Sequence, residues 1–262
     1  MKKKILIMIT FFSLLAIPVF SQVELTIFGQ YNLNLSYPDT GTIDPNVAST
    51  ASIYVDQIEA FIDPVLQQQN DLGLGGRIAF NITPTIGIEA SIEYIMAKTN
   101  FKKDIADNLE DFINTSGYPQ YFTLNRAGGN ILRYYGNVVI NIPSSGGITP
   151  YITVGLGVTH FKIEKGTGPE MNYDITPLLT KINVYYKNVS ALTFNTGIGA
   201  KILFSPNIGL RIDARMFYCK PKFQQKIDSS FLGITIFNKE DGYLQEGTHA
   251  DASLNFGIFF IF

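Results

Sequence analysis

Apolar and polar residues alternate with a period of two along eight separate stretches of this chain. The last stretch is the plainest. From Ala250 to Phe262, Ala250, Ala252, Leu254, Phe256, Ile258, Phe260 and Phe262 are apolar, while Asp251, Ser253, Asn255 and Gly257 fall between them. Successive side chains of a strand point to opposite faces, so this pattern predicts a strand with one apolar and one polar face. The same pattern predicts strands over Val23–Leu35, Gly73–Ile82, Ile86–Met96, Ile131–Ile142, Thr149–Phe161, Ala191–Phe204 and Ile208–Tyr218. Along Val23–Leu35 the one large apolar residue on the polar face is Phe28.

What lies between the strands has its own regularity. Thr83-Pro84-Thr85, Pro143-Ser144-Ser145-Gly146-Gly147 and Ser205-Pro206-Asn207 read as short turns. They alternate with long connections over 36–72, 97–130, 162–190 and 219–249. Two alternating runs around a tight turn make a hairpin. Repeated, they predict an all-β, antiparallel, up-and-down barrel of eight strands. Ser52–Ile62 and Ser230–Phe237 alternate in part, which leaves ten strands open. In the second long connection, Phe101, Ile105, Leu109 and Phe112 recur at helical spacing, so a short amphipathic helix is expected there.

Residues 1–21 stand apart. Lys2-Lys3-Lys4 precedes an apolar run from Ile5 to Phe20, and Val19-Phe20-Ser21 fits a cleavage site before Gln22. This reads as a secretory signal peptide, leaving 22–262 as one barrel domain. Its removal takes three lysines and no acids from a chain with 20 Lys and Arg against 22 Asp and Glu. An acidic exported product is a poor partner for nucleic acid. Hydrophobic residues make up 46% of the chain. Beyond the signal, however, no run approaches the ~18–20 apolar residues of a membrane helix. Apolar composition without such a run fits a barrel that crosses a membrane with strands. A soluble lipocalin-like barrel has the same strand number with its faces reversed. The small, balanced charged set and the apolar last strand favour the membrane form. The single Cys219 allows neither an internal disulfide nor a cysteine metal site, and it reads as a passive loop residue. No cofactor or metal site is expected.

Asn255, Gly257, Phe260 and Phe262 stand in the register of the C-terminal assembly signal of bacterial outer-membrane barrels. Pro150-Tyr151 followed by Gly155 and Gly157 is similar to a strand of the small eight-stranded members. The chain as a whole resembles that outer-membrane β-barrel family, the OmpA/OmpX-like "porin family" proteins. The resemblance implies a bacterial outer-membrane location, contact with outer-membrane lipid, recognition by the barrel-assembly machinery and long extracellular loops. It also implies that the peptidoglycan-binding domain of some relatives is missing. Tyr31, Tyr94, Tyr134 and Tyr218 would form the outer aromatic girdle, with Phe204, Phe260 and Phe262 in the inner one.

The inward stripe carries the candidate chemistry. Its bases are Arg77, Arg133, Lys201, Arg211 and Arg215; its acids are Glu24, Glu89, Glu93, Asp213 and Asp251. An eight-stranded barrel has room inside for little but side chains, so these charges must pair. Folding about Pro84 sets Arg77 opposite Ser91, with Glu89 and Glu93 on its diagonals; Arg133 can reach the same acids. Folding about Pro206 sets Lys201 opposite Arg211, which needs Asp213 or Asp251 close by. Acyl transfer would need a His beside a Ser. His160 falls outward. His249, Asp251 and Ser253 share an inward stripe but do not match the deacylase motif of lipid-modifying barrels. The expected function is therefore non-enzymatic: a monomer with a structural or adhesion-like role, its loops facing an extracellular ligand that the sequence does not name. A small porin is the alternative, and a lipid-modifying enzyme a weaker one.

Overall fold

The computed structural model describes residues 22–36, 40–42, 66–97, 99–101, 122–125, 129–144, 146–163, 170–176, 180–231, 234–239 and 244–262. Eight strands form a closed barrel: β1 (Gln22–Ser36), β2 (Asp71–Asn81), β3 (Ile86–Ile95), β4 (Asn130–Asn141), β5 (Ile148–Lys162), β6 (Val189–Ser205), β7 (Ile208–Cys219) and β8 (His249–Ile261). Each pairs antiparallel with its sequence neighbours, and β1 closes the ring against β8 through twelve register partners from Glu24↔Ile261 to Ser36↔Ala250. The expected alternative of two further barrel strands does not hold. Ile234–Lys239 pairs with Lys222–Phe231 in a separate sheet, and Ser52–Ile62 lies outside the described residues.

The short turns sit where proline and threonine predict them. In the first, the Thr83 hydroxyl accepts the backbone N–H groups of Thr85 (3.2 Å) and Ile86 (2.9 Å). In the third, Asn207 donates its side-chain amide to the Ile261 carbonyl at 2.9 Å, tying that turn to β8.

The long connections hold strands of their own. Thr40–Thr42, Leu244–Glu246, Lys222–Phe231, Thr180–Tyr186, Glu170–Thr176 and Phe122–Asn125 join in that order into a second sheet. Leu66–Gln68 pairs with Thr99–Phe101. Phe101 thus lies in a strand rather than the expected helix; Ile105, Leu109 and Phe112 lie outside the described residues. Apart from the partial alternation of Ser230–Phe237, no apolar period announced these strands, because a sheet outside the membrane need not keep one face apolar.

The two faces of the barrel wall are the reverse of a soluble barrel. Ile27 (64% exposed), Leu192 (73%) and Ile198 (66%) point outward, and the outward stripe of every strand is mostly apolar, with Thr196, Ser190 and His160 as exceptions. The buried stripe holds Arg, Glu, Asp, Asn and Thr. Such a surface is stable in hydrocarbon and not in water. Tyr31, Tyr94, Tyr134 and Tyr218 are exposed at the loop ends of their strands, and Phe204 and Phe262 at the turn end, with Phe260 half-buried.

Glycines on β5 let the neighbouring β4 lay large side chains across the wall. A Cβ at Gly157 would stand 2.0 Å from the Tyr134 carbonyl and 2.4 Å from the Tyr135 Cβ. Both obstacles are backbone or its first side-chain carbon, so nothing can swing aside. Gly157→Val is expected to destabilise the barrel by about 1–3 kcal/mol or more, the usual cost of overpacking. The check is a lower urea midpoint for the folded band in detergent.

Candidate functional site

The inward stripe places ten charged side chains in the lumen, and all ten are buried. They connect as one string of alternating sign. Lys201 Nζ lies 2.6 Å from Glu24 Oε2, and Glu24 Oε1 lies 3.2 Å from Arg211 Nη1. Arg211 and Arg215 share Glu89 at 2.7 and 2.8 Å. Arg215 Nε donates to Asp213 Oδ1 at 2.9 Å, and Asp213 Oδ2 accepts from Arg77 Nη1 at 2.5 Å. Arg77 and Arg133 flank Glu93 at 3.6 and 3.5 Å. Arg133 Nη2 reaches Asp251 Oδ2 at 2.7 Å, and His249 Nε2 lies 2.9 Å from the same oxygen.

Aromatic rings carry the guanidinium groups. Arg77 lies over Phe28 at 3.8 Å and Arg133 over Phe217 at 3.8 Å; Arg211 faces Tyr151 at 4.6 Å and Arg215 faces Tyr135 at 5.4 Å. A desolvated cation over a ring gains about 2 kcal/mol or more. The tyrosines also bridge charges. Tyr151 accepts from Arg211 Nε (2.7 Å) and donates to Asp213 Oδ2 (2.8 Å), while the Tyr135 hydroxyl donates to Glu93. These four rings were the part of the site that charge counting missed. Their signal was present: each is a bulky aromatic on an otherwise polar stripe.

Register follows the hairpins. Arg77 stands opposite Ser91 and Lys201 opposite Arg211. Glu93 meets Arg77 and Arg133 as the hairpins set it, but the other partners differ from the hairpin expectation. Glu89 does not serve Arg77 or Arg133; it reaches across to Arg211 and Arg215 on β7. The Lys201–Arg211 repulsion is relieved chiefly by Glu24 on β1, with Asp213 a longer 3.5 Å from Arg211 Nε. Asp251 is at the far end of the string. Hairpin geometry describes neighbours in the wall, whereas closure of the ring brings β1 and β3 towards β6 and β7.

At the loop end an apolar cluster covers the string. It contains Ile95, Ile131, Phe161, Ala191, Cys219 and Phe223 among others. Phe161 sets its edge against Phe223 (5.4 Å between centroids) and His249 (5.1 Å). Cys219 is therefore not a loop residue. It ends β7, points inward and is 2% exposed.

Of the His–Ser combinations, the inward one does not form. His249 turns to Asp251, and Ser253 accepts from Asn255 Nδ2 at 3.2 Å. The outward His160 places Nδ1 2.6 Å from Ser190 Oγ and its ring edge-on to Tyr134. No described carboxylate lies within ion-pair distance of that imidazole to orient it. At the other end of the chain's signals, Asn255 is buried and donates to Asp213 Oδ1 at 2.8 Å. Gly257 accommodates Phe28, whose Cβ would be 2.7 Å from an added methyl.

Asp213 joins three arginines, Tyr151 and Asn255, so removing it leaves cations facing one another in a closed lumen. Asp213→Ala is expected to cost about 3–5 kcal/mol, as for other broken buried pairs. Glu93→Gln, whose arginine contacts are 3.5 and 3.6 Å, is expected to cost less. Urea unfolding in detergent compares the two.

The family described as Outer membrane protein beta-barrel domain matches residues 8–236. No curated protein matches the chain. Among solved structures, Neisserial surface protein A aligns at 9% identity and a TM-score of 0.41, over 92% of this chain and 97% of its own. OprG from Pseudomonas aeruginosa aligns at 12% identity and 0.46, over 91% and 95%. Ail, the attachment invasion locus protein of Yersinia pestis, aligns at 11% identity and 0.40, over 93% and 100%. With the family match spanning most of its length, the chain belongs to the outer membrane protein beta-barrel family and resides in the bacterial outer membrane.

Proposed function

We propose that this protein is a closed, non-enzymatic barrel whose work is done at the cell surface, in a structural or adhesion-like role carried by its long extracellular connections. The observation that supports this reading is the string of paired charges. Several rungs bridge the lumen, β2 to β7, β4 to β8 and β3 to β7, so an ion would have to part several buried pairs to pass. In this family's layout the short turns are periplasmic and the long connections extracellular. The second sheet then offers strands, and not only coil, to an external partner.

Three further readings belong with it. Residues 1–21 act as the export signal. Asn255, Gly257, Phe260 and Phe262 act as the assembly signal for the barrel-assembly machinery. The barrel works as a monomer, its outward apolar face covered by outer-membrane lipid.

The runner-up is a small porin, and planar-bilayer recording of the protein extracted in detergent separates the two. The closed reading expects silence over many insertions; steady, reproducible unitary steps would replace it with the porin. For the assembly signal, Phe262→Asp is expected to lower the outer-membrane level several-fold while leaving synthesis unchanged. The check is immunoblotting of outer-membrane fractions alongside whole cells.

A further inference from the structure

The turn-end mouth of the barrel holds a cavity of about 790 Å³, floored by Lys201 and Glu24. That volume lies within the range of sites for small molecules, about 300–1,000 Å³. Leu203 and Phe259 supply apolar wall, and Thr149 and Asn141 supply polar wall.

Three observations fix the charge and the contacts of an occupant. First, the string of pairs alternates strictly in sign from Lys201 to Asp251. Its cationic end is at this cavity and its anionic end lies towards the apolar cluster at the loop end. Second, Lys201 is the member that solvent reaches: its side chain is 8% exposed and none of the other nine exceeds 2%. An ammonium has three N–H donors. Among the described residues Lys201 places one, on Glu24, and that carboxylate is shared with Arg211. Third, Thr149 is half-buried and lines the same cavity, where its hydroxyl can accept from or donate to an occupant.

We propose that this periplasmic vestibule binds a small organic anion, a carboxylate or a phosphate monoester. The anionic oxygens take the remaining N–H groups of Lys201. The ligand meets the Thr149 hydroxyl, and a short apolar body rests on Phe259 and Leu203. The site is independent of the surface role, since it opens at the opposite end of the barrel.

The test is calorimetric titration of the protein, extracted from outer membranes into a neutral detergent. The probes are phenyl phosphate, phenylacetate and, as the uncharged control, benzyl alcohol. One-site binding of at least one anion is expected, with none for the alcohol; which anion binds identifies the source. Losing a hydrogen bond to a charged group costs about 1.5–3 kcal/mol. Lys201→Met should therefore weaken binding by roughly ten- to a hundredfold. Lys201→Arg should bind within a few-fold of the parent. Lys222→Met, at the loop end on an exposed residue, should change nothing. Unchanged affinity in Lys201→Met would overturn the proposal, as would the absence of binding of both anions to heat-modifiable, folded protein at millimolar concentration. Should Lys201→Met fail to assemble, the parent decides: bound anion must shift the amide resonances of Asn141 and Thr149 and leave Thr248, at the loop end, in place. Shifts confined to the loop end would also overturn it.

Discussion

A charge inside a closed barrel has nowhere to turn for water, and that constraint organises this molecule. Ten such side chains point into the lumen, and each finds its opposite on another strand. The pairs bind β1 to β6 and β7, β3 to β7, β2 to β7, and β4 to β8, so they act across the ring and not only along its wall. A register slip of one residue in any of these strands would send that strand's charged groups into lipid. The same slip would bring the apolar stripe inside. The string therefore specifies the fold as well as filling it.

The remaining interior features serve that string. Phe28, Tyr135, Tyr151 and Phe217 lie against the arginines and hold them in place. Glycines on β5 and β6 make room for those rings: a Cβ at Gly199 would stand 2.5 Å from the Tyr151 ring. Outside, the apolar stripe and the tyrosine girdle meet the bilayer. Hydrophobic burial by lipid holds the wall from one side and ion pairing from the other.

Much of this was legible in the chain. Ile208–Tyr218 alternates with one exception, the inward Phe217, because β7 faces hydrocarbon on one side and paired charge on the other. Strand number, the short turns and the inward phase of all ten charged residues follow from such stretches. Which acid meets which base does not. Glu89 reaches β7 because the ring closes with tilt and stagger, and those belong to the whole sheet and not to any hairpin. Cys219 was misplaced because the polar, charged segment after it hides that β7 runs one residue further and that its end is covered. The second sheet left only the partial alternation of Ser230–Phe237, since strands such as Thr180–Tyr186 need not keep one face apolar.

The central claim is a lumen filled by its own paired side chains and covered at the outer end by apolar ones. The chain carries a single cysteine, Cys219, and it sits in that cover. The most direct measurement is labelling of intact cells with a membrane-impermeant maleimide, followed by mass analysis of the purified barrel. The account predicts no label on the folded protein and full labelling after denaturation. Rapid labelling of the folded protein from outside would mean that the cover is open, and would contradict it.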